Sequence, residues 1–366
     1  MEIRGAVLEE IGRESPYATT QPLTISTLEL GNPRDGELLI RIEAAGLCHS
    51  DLSVINGTRP RPVPMLLGHE AAGVVESVGS RVSDIEIGTR VVMSFLPRCG
   101  FCAGCQTDGR MPCIPGSASN NAGTLLNGGS RLHRNGVEVA HHLGVSGFAS
   151  HAVVDRRSVV AVDDDVPPGV AAVLGCAVLT GGGALLNTAP PRRGQSVMVV
   201  GLGGVGMAAL LVAVSLGHGP VIGVDAVEDK LDIARRLGAT DVYTPTTLGL
   251  RKADVVVEAV GSAAAFEAAV AATAPGGTTV TVGLPKPDAE STISPLGLVA
   301  EARTIVGSYL GSAVPSRDIP RYVELWRNGH LPVEELISAT ITLDQVNEGM
   351  DALATGHALR QIITFP

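Results

Sequence analysis

The stretch that most constrains the fold runs from Ser196 to Asp225. Residues 196–200 (Ser-Val-Met-Val-Val) are a short, almost wholly apolar run of the kind buried on both faces of a parallel sheet. Gly201-Leu202-Gly203-Gly204-Val205-Gly206 follows without a gap, and 207–216 reads as a helix. A second apolar run, 221–224, ends in Asp225, 19 residues after Gly206. A lone Gly-x-Gly-x-x-Gly says little. Set between strand and helix, with an acid at this distance, it is a dinucleotide-binding fingerprint. The glycines permit the tight turn and let a pyrophosphate approach the helix N-terminus, where unpaired N–H groups favour anions. Asp225 can accept hydrogen bonds from both adenosine ribose hydroxyls, and its charge repels a 2′-phosphate. No arginine follows it directly, so the reading is NAD rather than NADP.

Strand and helix go on alternating: helix at 231–237, strand at 253–258, helix at 263–274, strand at 278–283, and a last strand pair within 301–310. After Pro320 a helix at 321–326 and the tail 360–365 read as elements returning to the first part of the chain. Before about 178 the pattern differs. Short alternating runs such as 2–8 and 37–43, split by Gly/Pro/Asp turns, read as antiparallel strands. With 366 residues, two domains are expected.

The net charge of −10, with no basic cluster, argues against nucleic-acid and anionic-membrane partners. The most apolar region, 196–225, is interrupted by glycines, so no membrane span is expected. No basic-then-apolar segment opens the chain, so a cytoplasmic protein is expected. Cysteines in such a chain are metal ligands or catalytic groups before they are disulfides.

Cys99, Cys102, Cys105 and Cys113 are the strongest metal signal. Four thiolates at this spacing can close a tetrahedral structural zinc site; iron–sulfur ligation and a redox pair are the alternatives. Such a zinc would organise a 95–115 lobe that is poor in large apolar residues. Cys48 follows a strand, His69 opens another beside Glu70, and Cys176 follows a helix at 171–174. Thiolate, imidazole and thiolate are three ligands of a catalytic zinc that keeps one position open. Residues 114–150, rich in glycine, asparagine and serine, read as a long surface loop. Its adjacent His141 and His142 should diverge and are not read as ligands.

Taken together, Gly46-Leu47-Cys48-His49-Ser50-Asp51, Gly68-His69-Glu70, the four-cysteine lobe, Gly175-Cys176, the glycine motif with Asp225 and Lys230, and the ending Arg360-Gln361-Ile362-Ile363-Thr364-Phe365 resemble the zinc-dependent alcohol dehydrogenases of the medium-chain dehydrogenase/reductase superfamily. The resemblance spans essentially the whole chain. It implies an α/β protein with a GroES-like, mainly antiparallel β catalytic domain (1–177 and 311–366) and a Rossmann doubly wound parallel-sheet domain for NAD (178–310), assembled as homodimers or homotetramers. It implies two zinc ions per subunit, with Cys48, His69 and Cys176 on the catalytic one, Glu70 behind the metal and Asp51 partnering His69. Ser50 would bond the alcohol oxygen, His49 and Arg360 the pyrophosphate, Asp225 and Lys230 the ribose, and Thr180 the nicotinamide side. Phe95 and Leu284 would line the substrate pocket. Many relatives carry a relay histidine where this chain has Ser53, so His49 or water is expected to carry protons outward. Arg59 falls near the pocket mouth in relatives; a solvated loop charge is the plainer reading, preference for anionic substrates the sharper one. The implied reaction is reversible oxidation of a primary or aromatic alcohol to the aldehyde with NAD. Alternatives are a glutathione- or mycothiol-dependent formaldehyde dehydrogenase and a non-catalytic NAD- or zinc-binding protein.

Overall fold

The computed structural model describes residues 1–356 and 358–365. Six strands, Val197–Val200, Val221–Val224, Asp241–Tyr243, Ala253–Glu258, Thr273–Thr281 and Thr304–Gly307, form one sheet in which every neighbouring pair is parallel. In chain order their spatial order is third, second, first, fourth, fifth, sixth. That is the doubly wound arrangement, with its switch point between the first and fourth strands. Val197 to Val200 are buried throughout, as a strand covered on both faces must be. The helix Gly204–Leu216 is apolar nearly all round because the sheet takes one side and the helical segment 168–188 the other. Glycine is obligatory at 206: a Cβ there would lie 1.7 Å from the Gly201 carbonyl oxygen.

The other half is antiparallel in the main. Five strands, Glu2–Leu8, Leu23–Leu30, Leu132–Arg134, Val137–His141 and Met65–Leu66, close into a barrel. Beside it lies a sheet ordered Val159–Val162, Arg90–Met93, Glu70–Val78, Glu37–Gly46, Arg360–Thr364, Ile337–Ile341, with His151–Asp155 also on Glu37–Gly46. The tail strand thus pairs with a strand near the chain's start, Ile362 opposite Gly46.

Several sequence expectations are corrected. Residues 114–150 are not one surface loop. Ile114–Ala122 is a helix, capped by Cys113, whose sulfur accepts the Gly116 N–H. Leu132–Arg134 and Val137–His141 are a hairpin that completes the barrel, with Leu132 and Val139 buried inside. Its turn is Asn135-Gly136, both at positive φ (53° and 77°), the pairing a two-residue hairpin turn requires. The last parallel strand is single, Thr304–Gly307, and is followed by a tight turn at Tyr309–Ser312. The fifth strand begins at Thr273, ahead of 278, through a register shift against Ala253 and Val255. The helix expected after Pro320 starts earlier, at Pro315, a residue whose missing N–H costs nothing in the first turn.

Cys176 does not follow a short helix; it sits within the continuous helical segment Pro168–Thr188, in a widened turn at Leu174–Val178. Widened turns of this kind recur at functional sites. By length and composition this segment could cross a membrane, but 89% of its most apolar 18-residue window is buried inside the protein, as a core helix is.

Candidate functional site

Three positions far apart in the chain meet at one point. The strand Glu37–Gly46 delivers Cys48 to the start of the helix His49–Ile55, where Asp51 reaches back to the Cys48 N–H (3.1 Å). The other Asp51 oxygen accepts the Gly68 N–H (3.3 Å) and lies 3.0 Å from His69 Nδ1 and 3.1 Å from His142 Nδ1. One buried carboxylate thereby fixes both loops and leaves His69 Nε2 directed at Cys176 Sγ, 3.6 Å away. The ligand atoms of Cys48, His69 and Cys176 all lie within 4.8 Å of one another.

This spacing tests whether the donors fit a metal. Tetrahedral zinc, with Zn–S near 2.3 Å and Zn–N near 2.0–2.1 Å, holds sulfur and nitrogen about 3.6 Å apart and two sulfurs about 3.8 Å apart. The first figure is the His69–Cys176 distance. The second is the Cys99–Cys105 Sγ distance, 3.8 Å, in the other cluster, where Cys99, Cys102, Cys105 and Cys113 also lie within 4.8 Å of one another. Backbone N–H groups of Cys99, Cys105 and Gly116 point at Cys113 and Cys102 sulfurs (3.3–3.4 Å), which favours thiolates. Both donor sets fit zinc.

The buried groups of the site shift one another strongly: Cys176 is raised well above the usual thiol range by its hydrogen bond with Cys48 and by burial. Cys48 is held well below the usual thiol range by its hydrogen bond with Cys176 and by Arg360 and His69, while burial opposes this. Burial works to raise the Asp51 carboxyl, yet His69 and His142 hold it at about 2. Burial would lower His69, but Asp51 and Cys48 outweigh it and raise the imidazole well above its ordinary value. Glu70, wholly buried, is pushed up to about 7 by burial despite Arg360 Nε at 3.1 Å.

A cleft of about 610 Å³ opens over Cys48 and Cys176 and runs to the carboxyl ends of the parallel strands, at their switch point. His49, Ser50, Phe95 and Thr180 line it at the cysteine end, with Arg59 and Leu284. Gly201, Gly203, Gly204, Val205, Asp225, Lys230 and Arg360 line the rest; Gly206 lies beneath, against Gly201. Asp225 accepts the N–H groups of Leu202 (2.7 Å) and Val227 (2.9 Å), so its carboxylate is fixed beside the glycine turn, 4.0 Å from Lys230 Nζ. Arg360 is buried and donates to the Leu47 carbonyl (3.0 Å). Its Nη2 has no partner among the described residues, and a Cβ on Gly204 would touch its guanidinium carbon at 2.9 Å. A free cationic donor therefore stands at the N-terminus of the helix that follows the glycines. Asp51, His69 and Glu70 sit behind the cleft wall, fully buried.

Two further residues belong to the site and escaped the sequence reading. Tyr309 lines the cleft and meets Phe95 edge-on at 5.9 Å; its only cue is that it follows the last parallel strand, whose carboxyl end faces the cleft. His142 reaches Asp51. The two histidines do diverge, His141 into the barrel to accept the Arg131 N–H (3.2 Å), and that divergence is what delivers His142. Ser53 also lines the cleft, but its hydroxyl donates to the His49 carbonyl (2.8 Å), so it is tied into its own helix.

Comparison with known proteins agrees with this fold. Residues 34–164 match the alcohol dehydrogenase GroES-like domain and residues 204–328 the zinc-binding dehydrogenase domain. The chain is 35% identical to alcohol dehydrogenase B of Mycobacterium tuberculosis, over 100% of this chain and 99% of that protein. It superposes on an alcohol dehydrogenase zinc-binding domain protein from Burkholderia ambifaria with a TM-score of 0.92 at 30% identity, covering 100% and 99% of the two chains. Benzyl alcohol dehydrogenase from Acinetobacter calcoaceticus gives 0.90 at 29% identity, covering 100% of both.

Proposed function

The chain belongs to the zinc-dependent alcohol dehydrogenases of the medium-chain dehydrogenase/reductase superfamily, and on that premise we propose that it oxidises a primary or aromatic alcohol reversibly to the aldehyde with NAD. In this reading 1–177 and 311–366 form the catalytic unit and 178–310 the coenzyme unit. The observation that carries it is the spacing of Cys48, His69 and Cys176 at the floor of a cleft whose other end is the Gly203–Gly206 turn and Asp225.

Cys48, His69 and Cys176 hold one zinc and the four clustered cysteines a second. A zinc held there would supply Lewis acidity that lowers the pKa of the alcohol hydroxyl, and a bound NAD would supply the hydride acceptor. The chain's own groups do the rest. Ser50 accepts the hydroxyl proton as its own O–H proton moves on to His49 or water, since the relay-histidine slot is Ser53, whose hydroxyl donates to the His49 carbonyl. Asp51 accepts the Nδ1–H of His69 and so holds it in the tautomer whose Nε2 is unprotonated and can ligate the metal. Arg360 meets the pyrophosphate, Asp225 and Lys230 the ribose, and Thr180 the nicotinamide side, while Phe95 and Leu284 wall the substrate. Alcohol and NAD⁺ go to aldehyde, NADH and one proton.

The benzyl alcohol dehydrogenase neighbour makes benzyl alcohol the first substrate to try. Absorbance of NADH should rise with benzyl alcohol and short primary alcohols, much more slowly with NADP, and Asp225→Asn should narrow that preference at least tenfold. Oxidation confined to formaldehyde with added glutathione or mycothiol would move the assignment to the thiol-dependent reaction. No NADH from any of these, with two zincs bound, would end it.

A further inference from the structure

Arg59 stands between the helix His49–Ile55 and the strand Met65–Leu66, on the cleft wall with Phe95, Leu284 and Tyr309. It is not a freely solvated loop charge. Its side chain is half-buried, and Nη2 donates to the Pro285 carbonyl at 3.0 Å, bringing two distant segments together at the cleft. That bond uses one of five guanidinium N–H donors. Among the described residues no carboxylate lies within 4.0 Å of it; the charged or ionisable groups that act on it are Tyr309 and Arg61. The other cations of the cleft are accounted for differently: Lys230 stands by Asp225 and Arg360 by Glu70. A half-desolvated cation beside aromatic rings with no anion is costly unless a ligand supplies one. The chain's net charge of −10 opposes anions at long range, so an anionic ligand needs such a local cation.

We infer that Arg59 selects alcohols that carry a carboxylate at the end remote from the hydroxyl. The hydroxyl lies at the Cys48–Cys176 floor, the body against Phe95 and Tyr309, and the carboxylate on the free donors of Arg59, a fork suited to both of its oxygens. This rests on the reading of the cleft as an alcohol site.

The test compares 4-(hydroxymethyl)benzoate with benzyl alcohol, substrates that differ by the carboxylate alone. For the wild type, kcat/KM should favour the carboxylated alcohol, and Arg59→Ala should lower the ratio of the two values about tenfold or more, mainly through KM. Arg59→Lys should keep part of the preference, and Arg61→Ala should move the ratio less than twofold. A ratio unchanged in Arg59→Ala overturns the inference. So does an equal effect of Arg61→Ala, which would mean a diffuse field, or a rise in the KM for NAD alone, which would assign Arg59 to the dinucleotide. Calorimetric titration of 4-(hydroxymethyl)benzoate into the zinc-loaded protein without NAD separates the two readings. If neither alcohol is oxidised, the proposed reaction fails, while tenfold weaker binding to Arg59→Ala still upholds the arginine's role and equal binding removes it.

Discussion

Asp51 holds more of this site together than its single side chain suggests. It accepts the Cys48 and Gly68 N–H groups and lies 3.0 and 3.1 Å from two imidazole nitrogens, and all of these groups are buried. Asp51→Asn should weaken zinc binding about 10- to 100-fold, the range for groups that orient a metal's histidine, as measured by competition with a chromophoric chelator. Its pKa sets a sign as well. The carboxyl is depressed from 3.8 to about 2 in the folded protein. Its stabilising contribution is therefore complete above about pH 4 and disappears as pH falls toward 2. Urea titrations of the zinc-free protein should show that acid loss in the wild type and a smaller one in Asp51→Asn. At this scale the sequence was legible where a residue carries its own chemistry: Cys48, His69 and Cys176 could be named from type and company, and Asp51 only through the family resemblance. Tyr309 and His142 could not, because their roles come from where a turn and a strand end deliver them.

At the scale of elements, what the sequence betrays depends on whether a segment obeys a period. The strand at 197–200, its glycine turn and the helix behind them stand out because burial on both faces demands unbroken apolar runs. Residues 114–150 hide their helix and hairpin under polar composition. Yet Asn135-Gly136 announced the turn, and Leu132 and Val139 on either side of it supplied the buried face. The adjacent cysteine lobe obeys no period, since its order comes from four sulfurs. Arg98 donates to the Gly104 and Met111 carbonyls, but Phe101 and Met111 are exposed, so little apolar burial holds the lobe closed. Cys113→Ser should therefore release one zinc per chain and leave amides 95–115 unprotected in hydrogen exchange. Retained protection in that variant would show that packing, not metal, forms the lobe.

For the whole molecule, the two clusters differ in how many positions protein ligands fill, and that sets the order in which they lose metal. Cys48, His69 and Cys176 are three ligands at the floor of the cleft, whereas the lobe cluster, although Cys99, Cys102 and Cys105 are only half-buried, completes all four positions with protein thiols. A site that keeps an open position lets a small chelator attach before the protein ligands let go; a closed tetrahedral site must first break open its lobe. Graded treatment with dipicolinate should first remove one zinc per chain together with dehydrogenase activity, at little cost in melting temperature. The second should leave only as the melting temperature collapses, because its binding energy is folding energy. NAD should protect the first zinc and not the second: the nucleotide would stand in the cleft above Cys48 and Cys176, and at about 100 times its Kd it stabilises the occupied state by about 2.7 kcal/mol. Loss of both metals in one step, or equal protection of both by NAD, would contradict the separation of an open site in the cleft from a closed one in the lobe.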